Sequence, residues 1–166
     1  MPPPPIPFAL VSLGCPKNFV DSEALAGSLD PARYRLTPRL SEAQVIIVNT
    51  CAFLASARAE SLEALKRAAT WKGKSCRAVV AAGCLPQYLA ARASRALAEA
   101  DIIIGPGEWP GLSRRLAAFL SRPSRPSPLL RRVPRYPPGG WRRRRLASPH
   151  SAYLKIADGC DNRCAY

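Results

Sequence analysis

VIIVNTC, Val45–Cys51, opens with four consecutive apolar residues and ends on Asn, Thr and a cysteine. A strand with one face in water alternates apolar and polar side chains. A strand covered on both faces is apolar throughout, as in parallel sheets sandwiched between helices. Three other runs share that character: FALVSLG (Phe8–Gly14), AVVAAG (Ala78–Gly83) and DIIIGP (Asp101–Pro106), with YRLT from Tyr34 as a weaker edge strand. Helical spacing fills the intervals. Val20, Ala24 and Gly27, flanked by Leu25 and Leu29, form one stripe, with Pro16 where a helix start tolerates it. Leu62, Leu65 and Ala69 form the next, then Leu89, Ala93, Ala96, Leu97 and Ala100, and finally Leu112, Leu116, Phe119 and Leu120. Strands alternating with helices predict right-handed crossovers and an α/β domain with a doubly wound parallel sheet over residues 6–121.

Beyond Ser121 the composition changes. The chain carries a net charge of +14 over 166 residues, and a large share of it lies in 122–145, where Arg supplies the charge and WRRRRL closes the run. Clustered arginine is a signature of phosphate binding. Here it belongs mostly to a Pro- and Gly-rich stretch, 122–150, whose prolines lack the donors that regular structure requires, so an irregular basic linker is expected. SAYLKIADG then resumes a strand pattern, and residues 151–166 read as the start of a second domain. No stretch is long and apolar enough to span a bilayer, and MPPPPIPFAL lacks the charged start and apolar core of a secretory signal. The expectation is a cytoplasmic protein without a membrane partner. In that compartment thiols stay reduced, so the six cysteines point to metal ligation, catalysis or burial rather than disulfides.

Cys15, Cys51 and Cys84 each follow a strand run. Carboxyl ends of parallel strands are where open α/β sheets bind ligands, so neighbouring strands would gather these three thiols at one crevice. Helix amides facing the same crevice would favour thiolate over thiol. Three thiolates suit a soft metal or an iron–sulfur centre with one metal position left open, and zinc with water in the fourth position is also acceptable chemistry. Simple packing of buried cysteine stands beside these readings. Cys76, in the polar connection KGKSCR, reads as a bystander. Near the end, Cys160 and Cys164 begin a CxxxCxxC spacing whose third cysteine would stand at the next position after Tyr166.

SLGCPKNFVDSE (Ser12–Glu23), VNTCAF (Val48–Phe53), GCLPQ (Gly83–Gln87) and YLKIADGCDNRCAY (Tyr153–Tyr166) together resemble, in order, the methylthiotransferases of the radical SAM superfamily. GCPKN is similar to the RimO type, which methylthiolates an aspartate of ribosomal protein S12. The tRNA-modifying MiaB type more often has a GCQMN-like stretch there. The resemblance implies that Cys15, Cys51 and Cys84 hold an auxiliary 4Fe–4S cluster in an amino-terminal methylthiotransferase domain. It implies that Cys160 and Cys164 belong to a second 4Fe–4S cluster that binds S-adenosylmethionine, at a barrel whose first strand is about Ala152–Ala157. It further implies S12 or the small ribosomal subunit as partner and an electron donor such as flavodoxin or ferredoxin; the arginine run itself reads equally as a contact for rRNA phosphates or the ribosome surface and as a solvated spacer. The chain departs from the pattern at Ala52, where the family usually has Gly, and in its arginine-heavy linker. It reads as a truncated fragment, expected to be inactive alone, with no catalytic residue assigned. The competing expectations are a tRNA adenosine methylthiotransferase and a stand-alone metal- or nucleotide-binding α/β module.

For Asn18, Asp21, Ser22 and Glu23, orienting a substrate near the first cluster competes with capping of the first helix and pairing with its dipole, and capping is the favoured expectation. For Asn49 and Thr50, turn chemistry at the strand end competes with donation to cluster sulfurs. His150 reads as a solvated loop residue, and Trp71, Trp109 and Trp141 are too scattered to form a stacking platform.

Overall fold

The computed structural model describes residues 3–124, 141–157 and 162. Five strands, β1 (Ile6–Ser12), β2 (Tyr34–Leu36), β3 (Val45–Thr50), β4 (Ala78–Gly83) and β5 (Ile102–Ile104), form one sheet in the order β2-β1-β3-β4-β5. Every pairing is parallel, with Ser12 level with Asn49, Thr50 with Gly83, and Ala82 with Ile104. All six positions of both β3 and β4 are buried, which is what their unbroken apolar runs require.

Helices α1 (Pro16–Ser28) and α5 (Leu112–Ser121) cover one face, where Leu25, Leu29, Leu112, Leu116 and Trp109 meet Val45, Ile47, Val80 and Ile104. Helices α2 (Ala55–Ala69), α3 (Cys84–Leu89) and α4 (Ala93–Ala96) cover the other, where Leu65, Leu85 and Leu97 meet Ile46, Val48, Val79 and Ile103. Successive strand residues feed opposite cores because side chains alternate across a strand. Each fully buried Ile or Leu contributes about 1.5–3 kcal/mol by leaving water. The doubly wound parallel α/β domain is therefore present. Among the described residues no helix is long and apolar enough to cross a membrane.

Three local expectations change. In α2 the buried residues are Ser61, Ala64, Leu65 and Ala68, whereas Leu62 and Ala69 sit at the margin of the buried stripe. The helix expected after β4 is broken into α3, a 3-10 turn at Ala90–Arg92, and α4, with Ala90 at a φ of 47° interrupting the ladder. The strand expected at Ala152–Ala157 is not formed, since residues 151–157 carry no regular secondary structure. An extended segment becomes a strand only when another strand pairs its backbone. This one lies against α1 instead, with the Tyr153 ring edge-on to Phe19 at 6.0 Å and Lys155 bonded to Asp21. Cys160, Cys164 and linker residues 125–140 lie outside the described residues.

Candidate metal-binding crevice

The strand order places a topological switch between β1 and β3. From β1 the chain moves outward to β2, and from β3 it moves the other way through β4 to β5. At such a point the loops part, leaving a crevice beyond the carboxyl ends of the strands. Cys15 follows β1, Cys51 follows β3 and Cys84 follows β4, on three adjacent strands whose ends are level. The three thiols thus sit at neighbouring positions on one rim.

Two glycines bring the strand ends together. Gly14 has a φ of +87° and packs directly on Cys51: a Cβ there would stand 2.7 Å from Cys51 Cβ and 2.8 Å from its Sγ. The exit from β1 can approach the Cys51 thiol only because no side chain intervenes, and Cys15 is the next residue. Gly83 has a φ of +94°, and a Cβ there would lie 2.7 Å from the Thr50 carbonyl oxygen and collide with Asn49 Oδ1. That contact seats Cys84, the first residue of α3, against the end of β3.

Polar side chains lock the rim from beneath. Asn18 Nδ2 donates to Leu13 O at 2.6 Å and lies 3.3 Å from both Asn49 O and Thr50 O. Asn49 Nδ2 donates in return to Asn18 O and to Ser22 Oγ, each at 2.8 Å, and the Ser22 hydroxyl reaches Ser12 Oγ at 2.7 Å. Thr50 Oγ1 donates to Ala82 O and accepts from the Leu85 amide. Ser61 clamps the backbone of Cys51 from the opposite side: its Oγ accepts from the Cys51 amide and donates to the Cys51 carbonyl, both at 3.0 Å. Asn49 is committed to α1 by these bonds, which are cross-links to a distant helix rather than either turn chemistry at the strand end or donation to sulfur.

Cys51 is buried, whereas Cys15 and Cys84 are exposed. The Cys84 thiol is pushed up to about 11, first because the crevice walls withhold water from it, then by the charges of Cys51, Asp21 and Cys15, with Lys155 pulling the other way. The net balance at Cys84 thus favours thiol over thiolate, against expectation. Its helix is only six residues long, and desolvation and neighbouring anions outweigh it. The same influences identify Cys15 and Cys51 as electrostatic neighbours of Cys84. Among the described residues no group of three or more His, Cys, Asp or Glu side chains is placed to hold a metal ion. The donor type itself, cysteine sulfur past the ends of three adjacent strands, is the kind a soft metal takes. Cys76 lies at the opposite, amino-terminal edge of the sheet, just before β4, where it is buried and its Sγ contacts Ala78 O at 3.3 Å.

The four polar residues of α1 do not cap it. Cys15 occupies the N-cap and makes no side-chain cap bond, while Asn18, Asp21, Ser22 and Glu23 are all buried and tie α1 to its surroundings. Lys155 Nζ donates to Asp21 Oδ1 at 2.9 Å. Arg143 holds Glu23 Oε2 through Nε at 3.0 Å and also through Nη2, while the Leu146 amide donates to Glu23 Oε1 at 3.0 Å. Ser61 and the packing roles of Gly14 and Gly83 went unread in the sequence. The one available signal was a serine in the middle of an apolar helical stripe, at Ser61.

The chain is 43% identical over 163 residues to "Ribosomal protein uS12 methylthiotransferase RimO" of Pelotomaculum thermopropionicum, covering 97% of this chain and 36% of the relative. It is 40% identical over 161 residues to the protein of the same name in Syntrophus aciditrophicus, covering 95% and 35%. For that of Geobacter sulfurreducens the figures are 40% over 162 residues, covering 95% and 35%. The chain thus spans about a third of the length of these relatives. Residues 7–105 match the family described as "Uncharacterized protein family UPF0004", a span that takes in nearly the whole sheet and all three rim cysteines. On that match, the chain belongs to the UPF0004 family.

Proposed function

We propose that this chain is the amino-terminal part of a radical S-adenosylmethionine methylthiotransferase that modifies an aspartate of ribosomal protein uS12. The observation that carries the reading is that Cys15, Cys51 and Cys84 each stand just past the carboxyl end of one of three adjacent parallel strands, β1, β3 and β4. The names of the relatives support the substrate. In this reading the three thiols hold one 4Fe–4S cluster, and Cys160 and Cys164 contribute to a second that binds S-adenosylmethionine. When bound, these groups supply the electron, the radical and the sulfur needed to functionalise an sp³ carbon that no side-chain base deprotonates.

The chain's own residues do the preparatory work. Gly14 and Gly83 let the three sulfurs approach, and Ser61, Asn18 and Asn49 fix the backbone that carries them. Cys84 would bind such a centre as thiolate, so loading would release a proton to solvent. Three protein ligands leave one position for a non-protein ligand. The partners in this reading are uS12 in the small subunit and a flavodoxin- or ferredoxin-like electron donor, with rRNA phosphates met by the arginines of 122–150.

The rival reading is a stand-alone metal- or nucleotide-binding α/β module. Anaerobic purification with elemental analysis separates the two. Iron and sulfide at about four of each per rim, lost on Cys51→Ala, are expected for the methylthiotransferase reading. Zinc or flavin without iron contradicts it.

A further inference from the structure

The basic segment after the α/β domain does more than connect. At 3.6 residues per turn, Val20, Glu23 and Gly27 fall on the side of α1 opposite Asn18, Ser22, Leu25 and Leu29. The latter row faces the sheet, through Ser12 and Asn49 and the core. The former row would face solvent, yet Val20 is 7% exposed and Glu23 2%. Residues 141–147 lie along it. A Cβ on Gly27 would collide with Arg142 O and stand 2.8 Å from the Arg142 carbonyl carbon, so backbone meets backbone there. The Arg144 amide donates to Glu23 O at 2.9 Å, the Leu146 amide to Glu23 Oε1, and Arg143 grips Glu23 Oε2. Trp141 and Leu146 pack against the core on either side of these bonds. Farther along, Tyr153 meets Phe19 and Lys155 bonds both oxygens of Asp21, between one and two helical turns beyond Cys15.

We propose that residues 141–157 form an intramolecular clasp whose receptor is the outer face of α1, with Glu23 as its anchor and Gly27 as the point of close approach. The clasp carries Lys155 to Asp21, on the helix that begins immediately after Cys15. A carboxylate with only 2% exposure on a helix face turned away from the sheet has no reason to be there without this partner. A glycine in a helix interior costs about 1 kcal/mol relative to alanine, which the close packing of Arg142 explains.

Tryptic cleavage of the whole chain under native conditions, followed by mass spectrometry, tests the clasp and needs neither metal nor S-adenosylmethionine. Its failure is therefore separate from failure of the methylthiotransferase reading. In the wild type, Arg142–Arg145 and Lys155 are expected to resist cleavage. Gly27→Val blocks the backbone approach without touching either ion pair, and it is expected to speed cleavage at both places by at least about tenfold while sites within the sheet domain such as Arg77 stay protected. Should Gly27→Val unfold the domain, Glu23→Gln, which keeps the shape and removes the charge, is expected to give the same pattern. Wild-type cleavage at these sites as fast as in an unstructured peptide overturns the clasp, as does unchanged protection at Lys155 in either folded variant.

Discussion

At the level of single residues, the rim depends on what is missing from Gly14 as much as on the sulfurs. A methyl group there meets Cys51 Cβ at 2.7 Å and sits on a backbone with a φ of +87°. Both effects act against the folded state, so Gly14→Ala is expected to lower stability by about 1–3 kcal/mol. Urea unfolding of the unloaded chain measures it, and a variant as stable as wild type contradicts the close packing. The cysteines were legible in the sequence because each ends an apolar run. Ser61 was not, since nothing in a linear pattern says that a helical serine faces the backbone of a residue ten positions back. Asn18, Asp21, Ser22 and Glu23 misled for a related reason: the same side chains that suit caps also suit buried cross-links, and only tertiary contact decides between them.

At the level of elements, apolar runs located the strands well because both faces of a parallel sheet are buried, and periodicity then has little competition. Helices were harder to orient. Val20, Ala24 and Gly27 form a real stripe, but part of it lies on the outer side of α1 and is buried by residues 141–147 rather than by the sheet. The break between α3 and α4 left no trace in an alanine-rich sequence. It centres on Ala90, whose φ of 47° places its Cβ in an unfavourable position. Ala90→Gly is expected to relieve that strain and raise stability by about 1 kcal/mol. Thermal unfolding checks it, and a lower melting temperature would show that the turn carries no strain.

At the level of the whole molecule, the clasp and the rim share helix α1, which presents Cys15 at one end and Gly27 near the other. Neither the clasp nor its partner surface was legible in the sequence, because a Pro- and Arg-rich composition describes the segment's backbone and not what it docks against. The Glu23 carboxyl makes the docking sensitive to acid. Burial alone would raise its pKa, but the Leu146 amide and the Arg143 guanidinium outweigh that and hold it below its ordinary value. A carboxyl lowered in the folded state contributes stability above its unfolded pKa and loses it as pH falls through the folded one. The wild type is therefore expected to lose stability more steeply than Glu23→Gln as pH drops below the usual carboxylate range. Parallel slopes in denaturant titrations over that range would contradict this.

The claim on which the functional account rests is that Cys15, Cys51 and Cys84 act jointly on one metal centre. Cysteine-by-cysteine replacement with alanine, followed by anaerobic loading with iron and sulfide and measurement of bound iron, tests it most directly. To isolate the rim, the series is built in a chain with Cys160 and Cys164 also replaced. The account predicts that each of the three rim replacements removes most of the bound iron, while Cys76→Ala leaves it unchanged. Equal iron in a folded chain lacking any one of the three, or loss on Cys76→Ala alone, would contradict it.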